Sequence, residues 1–131
     1  MQLRQLTESD VESDIRCEPE EIPLVGNCCC IDEATDTDAE EWIRDQLERG
    51  NVWAWCQITV TASWKGLKGH AYLGGCSYRS QEEFCLEGDY YRDLKYEALA
   101  DLNREVERLR TLITELEIEV VDQPILINER T

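Results

Sequence analysis

The chain has one histidine, one methionine, one phenylalanine and three prolines in 131 residues. It has no apolar run near the roughly 20 residues that a membrane-spanning helix needs. The first ten residues lack the basic and apolar regions of a signal peptide, which predicts a cytoplasmic protein with no membrane contact. Seven cysteines are present but no Cys-x-x-Cys pair, and Cys28, Cys29 and Cys30 are adjacent, too close to converge on one tetrahedral ion. The odd cysteine count without a secretion signal points to reduced thiols, and neither a metal nor any other cofactor is expected. The single histidine, His70, shares a strand face with Cys76. The two stand roughly 20 Å apart at about 3.3 Å per residue, too far for a nucleophile and its base. There is no phosphate-cradling glycine loop, no Gly-x-Ser-x-Gly elbow and no His-Glu-x-x-His motif. These absences predict no catalytic residues and a protein that is not an enzyme.

What the chain does have is acid. Twenty-nine Asp and Glu against 13 Lys and Arg give a net charge of −16, which repels phosphates and argues against direct nucleic-acid binding by the surface as a whole. The charge falls into three blocks. Residues 1–48 hold 15 acids and three bases, residues 49–79 hold four bases and no acid, and residues 80–131 hold 14 acids and six bases. The length fits one domain with one core.

Along residues 1–37 no period is sustained, so this acidic segment reads as irregular, with a short strand near Ile22 to Val25. Thr37 and Glu40 form a capping box, which predicts a helix over 38–49 that Gly50 ends in a left-handed conformation. Residues 52–64 alternate with a period of two and are rich in β-branched and aromatic side chains. One strand face takes Val52, Ala54, Cys56, Ile58, Val60, Ala62 and Trp64 as core; the other takes Trp53, Trp55 and polar residues. A connection over 65–69 and a return strand over 70–78 complete a hairpin, with a bulge or a close backbone approach at Gly74-Gly75. Ser80 with Glu83 caps a short helix, and Asp89 caps a long one. In that long helix Leu99, Leu102, Val106, Leu109, Ile113, Leu116 and Val120 are spaced 3, 4, 3, 4, 3, 4, a heptad seam of three heptads. About 30 helical residues would span roughly 45 Å, longer than so small a domain can cover. The seam then either pairs with another chain as a homodimeric coiled coil or packs onto the sheet and frays beyond it.

The fold expected is therefore α+β: a short helix, an antiparallel β-hairpin or sheet, and a long C-terminal helix with a heptad seam. Residues 1–103 form the α+β domain with its acidic N-terminal segment, and residues 104–131 form a helical extension, tail and dimerisation element. Two surfaces are candidates for function. Glu18, Glu20, Glu21, Asp32, Glu33, Asp36, Asp38, Glu40, Glu41, Asp45 and Glu48 are dense enough to imitate the phosphates of DNA, which carries about one charge per 1.7 Å; in that block Asp32 through Glu48 are the expected protein-binding set. The alternative is a nucleic-acid-binding face on the acid-free hairpin, with Trp53 and Trp55 stacking bases beside Lys65 and Lys68.

The stretches Glu18–Asn27, Gly50–Cys56, Leu73–Tyr78, Gly88–Tyr91 and Glu97–Asn103 resemble small proteins encoded by bacteriophages and prophages, over roughly residues 17–103. That family brings no activity with it, so no catalytic or binding residue is carried over. The resemblance implies context: the cytoplasm of a bacterial host, and a small acidic protein that binds and inhibits a host nucleic-acid-binding complex, as anti-CRISPR and anti-restriction proteins do. The seam beyond Asn103 lies outside the resemblance. The order helix, hairpin, helix also resembles double-stranded-RNA-binding domains, but the last helix here is mixed or acidic rather than basic, so RNA binding of that kind is not expected.

Overall fold

The computed structural model describes residues 5–27 and 33–122, with side chains described over 5–27 and 37–119. The elements run β1 (Glu12–Pro19), α1 (Glu33–Glu48), β2 (Cys56–Trp64), β3 (Leu67–Cys76), α2 (Gln81–Leu86) and α3 (Tyr90–Asp122). The fold is α+β: a three-stranded antiparallel sheet in the order β1-β2-β3, with helices and a long C-terminal helix.

β2 is the central strand because its period-two pattern gives one fully apolar face. Cys56, Ile58, Val60 and Ala62 are buried there, against Leu94, Ala98 and Leu102 of α3 and Phe84 of α2. The α3 helix lies across β3 and β2. It comes into backbone contact at Gly69, which pairs with Ala62; a Cβ at Gly69 would overlap backbone atoms of Ala98 and Leu102. Beside this crossing the His70 N–H donates to Asp101 Oδ2 at 2.8 Å. The Asn103 amide exchanges two hydrogen bonds with the Leu6 backbone, at 2.9 and 3.1 Å, fixing the start of the described chain onto α3.

Several details differ from the sequence-based expectations. The acidic segment 12–19 is a strand, not an irregular region, and residues 22–25 are not one. Glu12, Asp14, Arg16 and Glu18 point away from the core while Ser13, Ile15 and Cys17 pair beside the buried face of β2. With only two apolar residues and carboxylates of low strand preference, this edge strand is made by its pairing with β2 rather than by propensity. Helix α1 begins at Glu33, so Thr37 lies inside it and is not its cap; Gly50, at φ 89°, follows its end as expected. Residues 52–54 form a 3₁₀ turn rather than strand, because the Asn51 side chain accepts from the Trp53 N–H at 3.2 Å. The hairpin connection is two residues, not five. Trp64 pairs with Leu67 across Lys65 and Gly66, both at positive φ (49° and 81°), as a type I′ turn requires. The expected bulge is present: Cys56 faces Cys76 while Ile58 faces Leu73, leaving one extra residue at Gly74-Gly75. Ser80 caps α2, accepting from the Glu83 N–H at 3.2 Å.

Candidate acidic interaction surface

α1 is held by a small second core. Ile43 is buried against Ala54 and Trp55, with Leu24 packed beside them, and Trp55 Nε1 donates to the Ile22 carbonyl at 2.8 Å. The Gly26 N–H donates to Glu40 Oε1 at 3.3 Å, tying the helix to the segment after β1. Helical geometry then decides what faces out. Asp38, Glu41, Asp45 and Glu48 are spaced 3, 4, 3 and all are exposed; at 100° per residue they fall on one stripe, on the side of the helix away from Ile43. Four carboxylates thus span about 15 Å at 1.5 Å per residue. Arg49 Nε lies 3.0 Å from Asp45 and Arg44 lies 4.0 Å from the half-buried Glu40. Among the described residues none of Asp38, Glu41 or Glu48 is paired with a cation. Glu33 and Asp36 lie in α1 but their side chains, like Asp32 and Cys28–Cys30, fall outside the described residues.

The open face of the sheet adds Glu12 and Asp14 to Glu18, which the sequence had already placed among the acids. The three project from alternate positions of β1, about 6.7 Å per two residues, with Arg16 between Asp14 and Glu18. Among the described residues only Glu18 of the three has an ion-pair partner, Arg16 at 3.1 Å. The signal was available in the alternation of charge at 12, 14, 16 and 18. Glu20 has a structural role instead: its carboxylate accepts from the Gly75 N–H at 2.6 Å and from Gln57 Nε2 at 3.0 Å, which locks the bulge.

The residues of the hairpin alternative are not brought together. Trp55 is buried in the α1 anchor, and Trp53 lies 5.8 Å ring to ring from Phe84 in the main core. Because the 3₁₀ turn precedes β2, neither side chain stands on the strand's open face. Lys65 and Lys68 sit at the opposite end of the hairpin, with Lys65 Nζ 5.1 Å from the Trp64 ring; ten residues of strand correspond to about 33 Å. The open face of β3 offers Lys68, His70 and Tyr72, where Thr61 Oγ1 lies 3.0 Å from His70 Nδ1.

Cys17, Cys56 and Cys76 converge on the buried face of the sheet. Burial pushes the Cys17 and Cys56 thiols up and that of Cys76 up to about 11, so thiolate is scarce and these residues pack rather than react. Among the described residues no three His, Cys, Asp or Glu are grouped to hold a metal ion, and no helix is long and apolar enough to cross a membrane.

No protein family, no curated protein and no solved structure matches the chain.

Two carboxylates make the fold sensitive to acid. The Gln57 amide and the Gly75 N–H hold the Glu20 carboxyl below the usual glutamate range, and the His70 N–H, helped by Arg104, does the same for Asp101. A carboxyl depressed on folding contributes stability above its unfolded pKa, of about 4, and loses it as pH falls through the folded value. Denaturation of the wild type and of Glu20→Gln is therefore expected to differ at neutral pH, and the difference to shrink as the pH falls below the unfolded pKa and through the lower folded one. A gap that persisted in acid would show that the Glu20 contacts are not charge-assisted.

Proposed function

We propose that this protein is a non-enzymatic product of a phage or other mobile element. In this reading it inhibits a host nucleic-acid-binding defence complex, of anti-CRISPR or anti-restriction type, by presenting a DNA-like acidic surface. The observation that carries the reading is the stripe of Asp38, Glu41, Asp45 and Glu48 on the outward side of α1. Its carboxylates are borne by a helix that Ile43 and Trp55 fix in place, so they are presented without the conformational cost of ordering a loop. A basic channel built for phosphates, which follow one another every 3.4 Å along each strand, would meet charges of the same sign at comparable density. The phage context comes from the sequence resemblance alone.

The test uses a bacterial host with an active CRISPR or restriction system. Expression of the protein is expected to raise plaquing of a targeted phage, and the captured complex is expected to be released by salt and by competing duplex DNA. The triple variant Asp38→Lys, Glu41→Lys, Glu48→Lys changes only exposed positions and retains helix-forming residues. At about 1 kcal/mol per reversed charge it should weaken capture by about a hundredfold. Capture and plaquing untouched by the triple variant would overturn the mimic reading.

A further inference from the structure

The heptad seam of α3 changes partner along its length. Leu102 is buried in the sheet interface, and Val106 and Leu109 are half-buried, but every described residue from 111 to 119 is exposed. Ile113 is 55% exposed and Leu116 50%, and Leu112 flanks them. Residues 111–119 continue α3 for about two and a half turns, every one of their side chains exposed. The seam residues lie on the same side of α3 as Ala98 and Leu102, so the apolar stripe runs unbroken from the core into solvent.

Charge along this segment is uneven. Arg104, Arg108 and Arg110 lie before residue 111 with Glu105 and Glu107 among them, Arg108 pairing with Glu105 at 2.6 Å and Arg110 with Glu107 at 3.3 Å on the exposed surface, whereas Glu115, Glu117 and Glu119 follow residue 111 with no base among them. Two such helices in parallel would set the three glutamates of one beside those of the other. Turned antiparallel about residues 113–116, they set the turn that carries Arg110 in one against the turn that carries Glu117 in its partner.

We infer that the exposed end of α3 binds a second copy of this chain as an antiparallel coiled coil. Ile113 of each copy packs on Leu116 of the other in the two central layers, and Leu109 meets position 120 in the outer ones. Arg110 and Glu117 both occupy the position that follows a buried leucine of the seam, and in antiparallel pairs those positions face each other across the interface. Each copy therefore supplies one Arg110 to the other's Glu117, in exchange for or beside its exposed pair with Glu107 of its own helix. Centred between residues 113 and 116, the pairing holds the two sheets about 50 Å apart at the ends of a shared rod.

Sedimentation equilibrium of the full chain, at low salt and across the micromolar range, is the test. The wild type is expected to dimerise. Arg110→Glu turns two attractive contacts repulsive and should weaken the dimer about tenfold, while adding Glu117→Arg should restore it to within about threefold. Ile113→Asp should leave a monomer that keeps its sheet. A wild type that stays monomeric, an Arg110→Glu variant as tight as wild type, or rescue by Glu105→Arg in place of Glu117→Arg, which is the parallel pairing, would each overturn the inference.

Discussion

Gly69→Ala is expected to destabilise the protein by about 3 kcal/mol, the upper end of what overpacking costs, and to lower its melting temperature by about 10 °C. The added methyl would meet the Ala98 carbonyl and the Leu102 backbone, not the movable end of a side chain. Removing the neighbouring side chain therefore cannot make room, and Ala98→Gly should fail to rescue the variant. To accommodate the methyl, α3 must lift from the sheet, opening the contacts of Leu94, Ala98 and Leu102, all buried. The hydrogen bond from the His70 N–H to Asp101 would stretch with them. Gly66→Ala is the informative comparison, because nothing lies within 4 Å of a Cβ there and only the positive φ opposes it; its cost should be about 1 kcal/mol. Thermal unfolding of both variants checks the pair, and equal shifts would mean that α3 does not cross the sheet at Gly69.

Phe84→Ala should cost still more, about 4 kcal/mol. The chain has a single phenylalanine, and it is 1% exposed at the meeting point of three other rings. Tyr78 meets it edge-on at 5.2 Å, Tyr91 at 5.7 Å and Trp53 at 5.8 Å. These four rings join the segment before β2, the segment after β3, α2 and the first turn of α3. Helix α2, with only six residues, has little else to hold it. Loss of the near-ultraviolet circular dichroism of the tyrosines and Trp53 should accompany the drop in stability. Phe84→Leu, which keeps most of the volume, should cost about 1.5 kcal/mol. Retained aromatic dichroism in Phe84→Ala would show that the rings order one another without it.

The legibility of the acidic surface was uneven for a physical reason. A helix exposes its pattern in sequence because positions three and four apart share a face, so the outward stripe on α1 follows once the helix is recognised and its buried side is found at Ile43. The carboxylates of β1 were harder to recognise as a surface, because strands are detected by their apolar residues and β1 has only Ile15 and Cys17. The tryptophans misled in the opposite direction. Trp53 and Trp55 fit the alternation of β2, yet Asn51 caps a 3₁₀ turn that takes both out of the strand, one into each core. Nothing in the two-residue period distinguishes a strand from a capped turn that feeds it. Likewise Lys65 to Gly69 reads as a loop, and only the pairing of Trp64 with Leu67 shows that the turn is two residues and that Gly69 belongs to a strand.

What the sequence determined by itself is whatever depends on neighbours within a few positions: the apolar face of β2, the Ser80 cap, the left-handed Gly50, the bulge at Gly74-Gly75 and the continuous seam of α3. Each rests on local periodicity or on a backbone conformation that one residue type favours. Tertiary structure decided what depends on distant partners. It recruited an acidic segment as the edge strand β1, tied Glu20 across 55 positions to Gly75, buried Trp55 under α1, and divided the seam between a sheet-bound half and an exposed one. An edge strand draws its stability from the strand it pairs with, and an apolar stripe is buried only where another surface lies against it, so neither outcome is written in the residues that undergo it.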